Sequence, residues 1–78
     1  MKTTQYFRHT RQRPDRAITK DEWIEQAIHN PLRVEQQADG RIRRWVRITE
    51  MDNRALRVIL LEDGETVPNA FFDRNFKE

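Results

Sequence analysis

His9 lies in Arg8-His9-Thr10-Arg11-Gln12-Arg13, where the sequence leads one to expect neighbouring cations to favour a neutral imidazole. A neutral imidazole suits general acid–base work; the competing reading is a surface histidine in a basic arm. The other histidine, in His29-Asn30-Pro31, complements a helix C-terminus and reads as structural. Two histidines without carboxylates at ligand spacing make no metal site.

The stronger pattern is Arg41, Arg43, Trp45 and Arg47. Alternation along a strand puts three guanidinium groups and an indole on one surface, which suits phosphates and stacked bases. The competing reading is a solvated face on which long arginine stems cover Trp45. Arg57 interrupts an otherwise apolar run, Leu56–Leu61, where a guanidinium is costly unless paired or outward-facing. Facing outward beside Arg47, it would help grip a phosphate; otherwise it forms an ion pair with Glu50 or Glu62. Asn69 and Arg74, with Asp73 between them, add an amide, a cation and a carboxylate near one strand end.

The elements that must position these residues are legible in turn chemistry and periodicity. Thr19 and Glu22 have capping-box spacing, Ile18 and Trp23 fit a hydrophobic staple, and Asp21 and Glu22 favour the positive end of a helix. Trp23, Ile24, Ala27 and Ile28 form a stripe that Asn30-Pro31 terminates, predicting a helix over 20–29. Gln5–Arg13 is read as a short helix ending before Pro14, or as an arm. Leu32–Gln37, Arg41–Thr49, Leu56–Leu61 and Thr66–Phe72 read as strands, with Asp39-Gly40 and Asp63-Gly64 as hairpin turns. Arg44 is the exception on the Ile42/Val46/Ile48 face. Pro68 cannot donate to a ladder and places the last strand at an edge or in a bulge.

The predicted fold is α+β: one or two N-terminal helices packed on one face of a four-stranded antiparallel β-meander. One domain spans 1–78, helical over 5–30 and sheet over 32–74. One helix layer covers one side of the sheet and leaves the other to water, a partner or a ligand.

Composition limits the function classes. The chain has 78 residues, with 15 Lys+Arg, 13 Asp+Glu and net charge +2. Charge is uneven: residues 1–49 are net basic and 50–78 net acidic, and arginine greatly outnumbers lysine. Guanidinium groups suit bidentate phosphate contacts and stacking on bases. There is no cysteine, which excludes disulfides, thiolate metal sites and cysteine nucleophiles. Two glycines are too few for a phosphate-cradling loop, so no cofactor is expected. No apolar run approaches the ~20 residues of a membrane span. Arginines arrive too early for a signal peptide, and a cytoplasmic location is the expectation.

Several short segments carry a resemblance. They are His9…Arg13…Arg16, Ile18-Thr19, the helix ending in Asn30-Pro31, and Asp39-Gly40-Arg41, followed by Leu56-Arg57-Val58, Thr66-Val67 and Phe72-Asp73-Arg74. Together they resemble a family of small bacterial domains of unknown function whose sequences often begin H-A-x-x-R-x-x-x-R-G-I. That family is grouped with RelE- and BrnT-type toxin ribonucleases of the barnase/EndoU/RelE-like fold. This chain departs from it in a spacing from Arg13 to Arg16 one residue shorter, and in Pro14, which stands where the family's helix continues. It also lacks the C-terminal tyrosine of some RelE-like toxins. The resemblance implies a metal-independent endoribonuclease, with His9 as base or acid and Arg13 and Arg57 at the family's arginine positions. Arg13, Arg47 and Arg57 would stabilise the pentacoordinate phosphate, and Arg41, Arg43, Trp45, Arg47, Asn69 and Arg74 would bind RNA. The alternative is a non-catalytic interaction module whose partner is an acidic antitoxin-type protein or a homodimer mate.

Overall fold

A computed structural model describes residues 2–12 and 19–77. Helix α1 runs over Gln5–Thr10, and the Thr4 hydroxyl caps it by accepting from the Phe7 N–H at 3.1 Å. Its buried face is Phe7 and Thr10. Arg13 and Pro14 lie outside the described residues, as does Ile18 of the expected staple.

Helix α2 runs over Asp21–His29 and buries Trp23, Ile24 and Ala27. The expected capping box does not form. Lys20, without a side-chain bond, occupies the N-cap, and Thr19 is buried. Arg11 ties the helix start down instead: Nη2 donates to the Thr19 carbonyl at 2.5 Å, and Nη1 pairs with Asp21 Oδ1 at 2.6 Å. At the other end the Arg44 guanidinium donates to the Ile28 carbonyl at 2.9 Å. This accounts for a cation on the helix-facing side of its strand, since the last carbonyls of a helix need donors.

Among the described residues the strands are β1 Lys2–Thr3, β2 Arg33–Gln36, β3 Ile42–Ile48, β4 Arg54–Leu60, β5 Thr66–Val67 and β6 Asn69–Phe72. The main sheet is antiparallel in the order β2-β3-β4-β6, with α1 and α2 both N-terminal to it, an α+β fold. The expected fourth strand is split. Thr66–Val67 pairs in parallel with Lys2–Thr3, a strand the sequence did not signal, and after Pro68 the chain joins β4 as β6. Proline supplies no N–H at the point where the partner changes.

Turns fix the register. Gln37 N–H donates to the Arg41 carbonyl at 2.7 Å and Gly40 N–H to the Gln37 carbonyl at 3.0 Å, with Gly40 at φ 91°. This is a three-residue hairpin loop closed by a glycine bulge. Asp52 and Asn53, both left-handed, connect β3 to β4 after a single 3-10 turn. In the Asp63-Gly64 turn, the Asp63 carboxylate accepts from the Thr66 hydroxyl and from the Thr66 and Glu65 N–H groups, which lowers its pKa to about 2.

The core lies between the helices and one side of the sheet: Phe7, Trp23, Ile24, Ala27, Val46, Ile48, Leu56, Val58 and Leu60, closed by Val67 and Ala70. Phe72 packs edge-on against Trp23, with ring centroids 6.1 Å apart. Among the described residues no helix is long and apolar enough to cross a membrane.

Candidate nucleic-acid interface

Period-2 alternation sends Arg43, Trp45 and Arg47 of β3, Ala55, Arg57 and Ile59 of β4, and Asn69 and Phe71 of β6 to the side away from the helices. Antiparallel register then lines up a row across all four strands: Arg33 opposite Trp45, Trp45 opposite Arg57, and Arg57 opposite Phe71. Cation and ring alternate. The Arg33 and Arg57 guanidinium carbons lie 5.8 and 5.5 Å from the Trp45 ring centroid, and that of Arg57 lies 5.0 Å from Phe71. Each such contact is worth about 0.5–2 kcal/mol depending on desolvation.

Asp73 anchors this row. Its Oδ2 accepts from the Trp45 indole N–H at 3.0 Å and from Arg57 Nη2 at 2.9 Å, while Oδ1 accepts from the Asn75 N–H at 3.0 Å. The last bond turns the chain back, and Phe76 stacks on Trp45 with centroids 5.4 Å apart and planes 23° from parallel. Arg33 Nη1 holds the same tail by donating to the Lys77 carbonyl at 3.2 Å. The Arg47 guanidinium lies 5.6 Å from the Phe76 ring centroid and donates to the Asn53 carbonyl at 2.9 Å.

Trp45 is therefore only 4% exposed. This corrects the expectation of an indole open to stacked bases: it is buried, outside the helix-side core, beneath Phe76 and between two arginines. Arg57 likewise pairs with Asp73, and with neither Glu50 nor Glu62. Glu50 instead accepts from the Trp23 indole at 3.1 Å. Arg47 sits opposite Ala55, so Arg47 and Arg57 are diagonal neighbours.

The other expected site residues are distributed as follows. Arg43 continues the outer face along β3, and Arg41 stands just before that strand at the hairpin. Arg41 Nε lies 3.9 Å from Asp39, and Arg43 donates twice, at 2.9 and 2.6 Å, to the Gln37 amide oxygen in the orientation that satisfies both groups. Asn69 is on the same side but spends its oxygen on the Ala70 N–H at 3.0 Å. Arg74 is exposed just past the end of β6. His9 is exposed on α1, within the helix layer, whereas Arg57 points out of the opposite side of the sheet. The structure does not bring these two together, and Arg13 lies outside the described residues. His29 bonds Glu25 at 3.0 Å on its own helix.

Sequence reasoning passed over Phe76; it noted the Asp73 carboxylate but not its role as acceptor for Trp45 and Arg57. A signal existed for Asp73: Asn69, Phe71 and Asp73 alternate, and the Asp73 N–H donates to the Ala55 carbonyl at 2.8 Å, extending the strand. Asp73 is held ionised below the usual carboxylate range, first by the indole N–H, then by the Asn75 N–H and Arg57, against the opposing effect of burial. A folded pKa below the unfolded value of about 3.9 stabilises the tail at higher pH. That contribution is fully present above the unfolded value and is lost as pH falls through the folded one. The Trp45 indole N–H resonance is accordingly expected to hold its position from neutral pH to about pH 5 and to shift only under stronger acid. A midpoint near neutrality would contradict the contact.

No protein-family model, curated protein or solved structure matches the chain.

Proposed function

We propose that this chain is an RNA-binding domain that holds the phosphate backbone on the outer face of its sheet without cleaving it. The observation that carries this reading is the gathering of Arg33, Arg41, Arg43, Arg47 and Arg57 on one face, where Glu35, Asp39 and Asp73 are the carboxylates they bond among the described residues. Arg41 and Arg43, two residues apart, are separated by about 6.6–7 Å along the strand direction, close to the spacing of successive phosphates in an extended single strand, and Arg47 lies about 13 Å beyond Arg43, on the far side of Trp45. Recognition by these groups is electrostatic and little dependent on base identity, because the ring that would stack on a base is already covered by Phe76. The RelE/BrnT-type reading adds cleavage. The separation of His9 from Arg57 across the sheet argues for binding alone.

The test is fluorescence anisotropy of labelled single-stranded and structured RNA in metal-free buffer across a salt series. With three phosphate contacts, log K is expected to fall with log[salt] at a slope of about −2, and the RNA to stay intact. Salt-independent binding, or none, would sink the proposal. Metal-free cleavage abolished by His9→Ala would overturn the non-cleaving part and restore the toxin-type reading.

A further inference from the structure

Strand β2 ends the main sheet on one side. The Gln37–Arg41 bond sets the phase of its ladder, so Arg33, Glu35 and Gln37 turn their backbone groups toward β3. Val34 and Gln36 therefore turn their N–H and C=O groups outward, along an edge that no strand among the described residues pairs with. The same edge carries two half-exposed large apolar side chains, Leu32 at 50% and Val34 at 49%. Natural sheets usually blunt such an edge with lysine, proline or a bulge. Here Pro31 and the Leu32 N–H, which donates to the Trp45 carbonyl at 2.7 Å, close the start of the strand, and the outward positions Val34 and Gln36 carry none of these.

Charge along this edge is self-complementary. Arg33 and Glu35 flank Val34 on the outer face and already bond each other at 2.5 Å within the strand. A two-fold axis through Val34 would set Arg33 opposite Glu35 of the partner subunit, and Glu35 opposite Arg33 of the partner subunit. Val34 would exchange both backbone bonds with its counterpart, while Leu32, whose N–H is spent on the Trp45 carbonyl at 2.7 Å, lies just outside the new ladder. An in-register parallel pairing would instead face Arg33 with Arg33 and Glu35 with Glu35, which is unfavourable.

We infer that β2 is a homodimerisation edge at which a second copy of this chain adds its own β2 antiparallel, joining the two sheets into one of eight strands. The two-fold axis stands perpendicular to that sheet, so both arginine faces lie on the same side and form one continuous basic surface. Val34 and its counterpart meet on the helix side, where their exposed methyl groups are covered. The inference stands on the edge alone and holds whether or not RNA is the ligand.

The test is sedimentation equilibrium of the RNA-free protein across a wide concentration range, with hydrogen exchange of the Val34 and Gln36 amides. The wild type should populate a dimer and protect both amides as it forms. Val34→Pro removes an outward donor without breaking a bond to β3, and Val34→Lys keeps the backbone but charges the edge. Each should weaken dimerisation about tenfold or more; if the proline variant fails to fold, the lysine variant decides. Glu35→Arg alone should abolish the dimer by facing like charges, and adding Arg33→Glu should restore it. A protein that stays monomeric throughout, or a dimer indifferent to both Val34 variants and to the charge swap, would overturn the inference.

Discussion

Asp73→Ala is expected to lower domain stability by about 2–3 kcal/mol, a large effect for a charged residue of the outer face. The carboxylate is 8% exposed and serves donors on three segments. Its removal leaves the Trp45 indole N–H without an acceptor under Phe76, at about 1–3 kcal/mol, while Arg57, 23% exposed, regains some water. For a domain this small, the loss corresponds to a fall in Tm of roughly 10–20 °C. Asp73→Asn keeps an oxygen for the indole but loses the charge, and should fall about midway. Thermal unfolding followed by circular dichroism checks both. An unchanged Tm for Asp73→Ala would mean that the tail does not hold the face.

Arg41→Ala combined with Arg43→Ala is expected to weaken single-stranded RNA binding on the order of tenfold or more at moderate salt. Each lost phosphate contact removes about 0.7 from the salt slope, so the double variant should bind with a slope shallower by about 1.4. Both side chains lie on the outer face near the hairpin and support no core residue, so the fold should survive. Arg8, exposed on α1 in the helix layer, is the matched control, and Arg8→Ala should leave affinity and slope unchanged. Equal losses from both variants would mean that net charge, rather than this face, carries the binding.

What the sequence revealed was local. Asn30-Pro31, Asp39-Gly40 and Asp63-Gly64 fall at the ends and turns they signal, because proline and glycine act on the backbone at their own positions. The stripe of Trp23, Ile24 and Ala27 and the alternation of Val46 and Ile48 locate the core for the same reason. Features that depend on distant residues were not legible. The Thr19–Glu22 capping box is a local option that does not form; the start of α2 is tied instead by Arg11, from just past the end of α1. β1 is a two-residue strand, too short to carry a period, and exists because Thr66–Val67 lies beside it. Trp45 illustrates the limit most clearly. Its face follows from alternation, but its burial depends on Phe76, 31 positions later, and on a turn set by the Asp73 side chain. Periodicity tells which side a residue is on, not what returns to cover it.

The most direct test of the outer face as a polyanion surface is a nuclear magnetic resonance titration of the labelled protein with single-stranded RNA at low salt. The expected result is chemical-shift change concentrated on the backbone amides and arginine Nε–H groups of Arg41, Arg43 and Arg47, with α1 and α2 unmoved. Shifts confined to the helix layer around His9, or no shifts at saturating RNA, would contradict it.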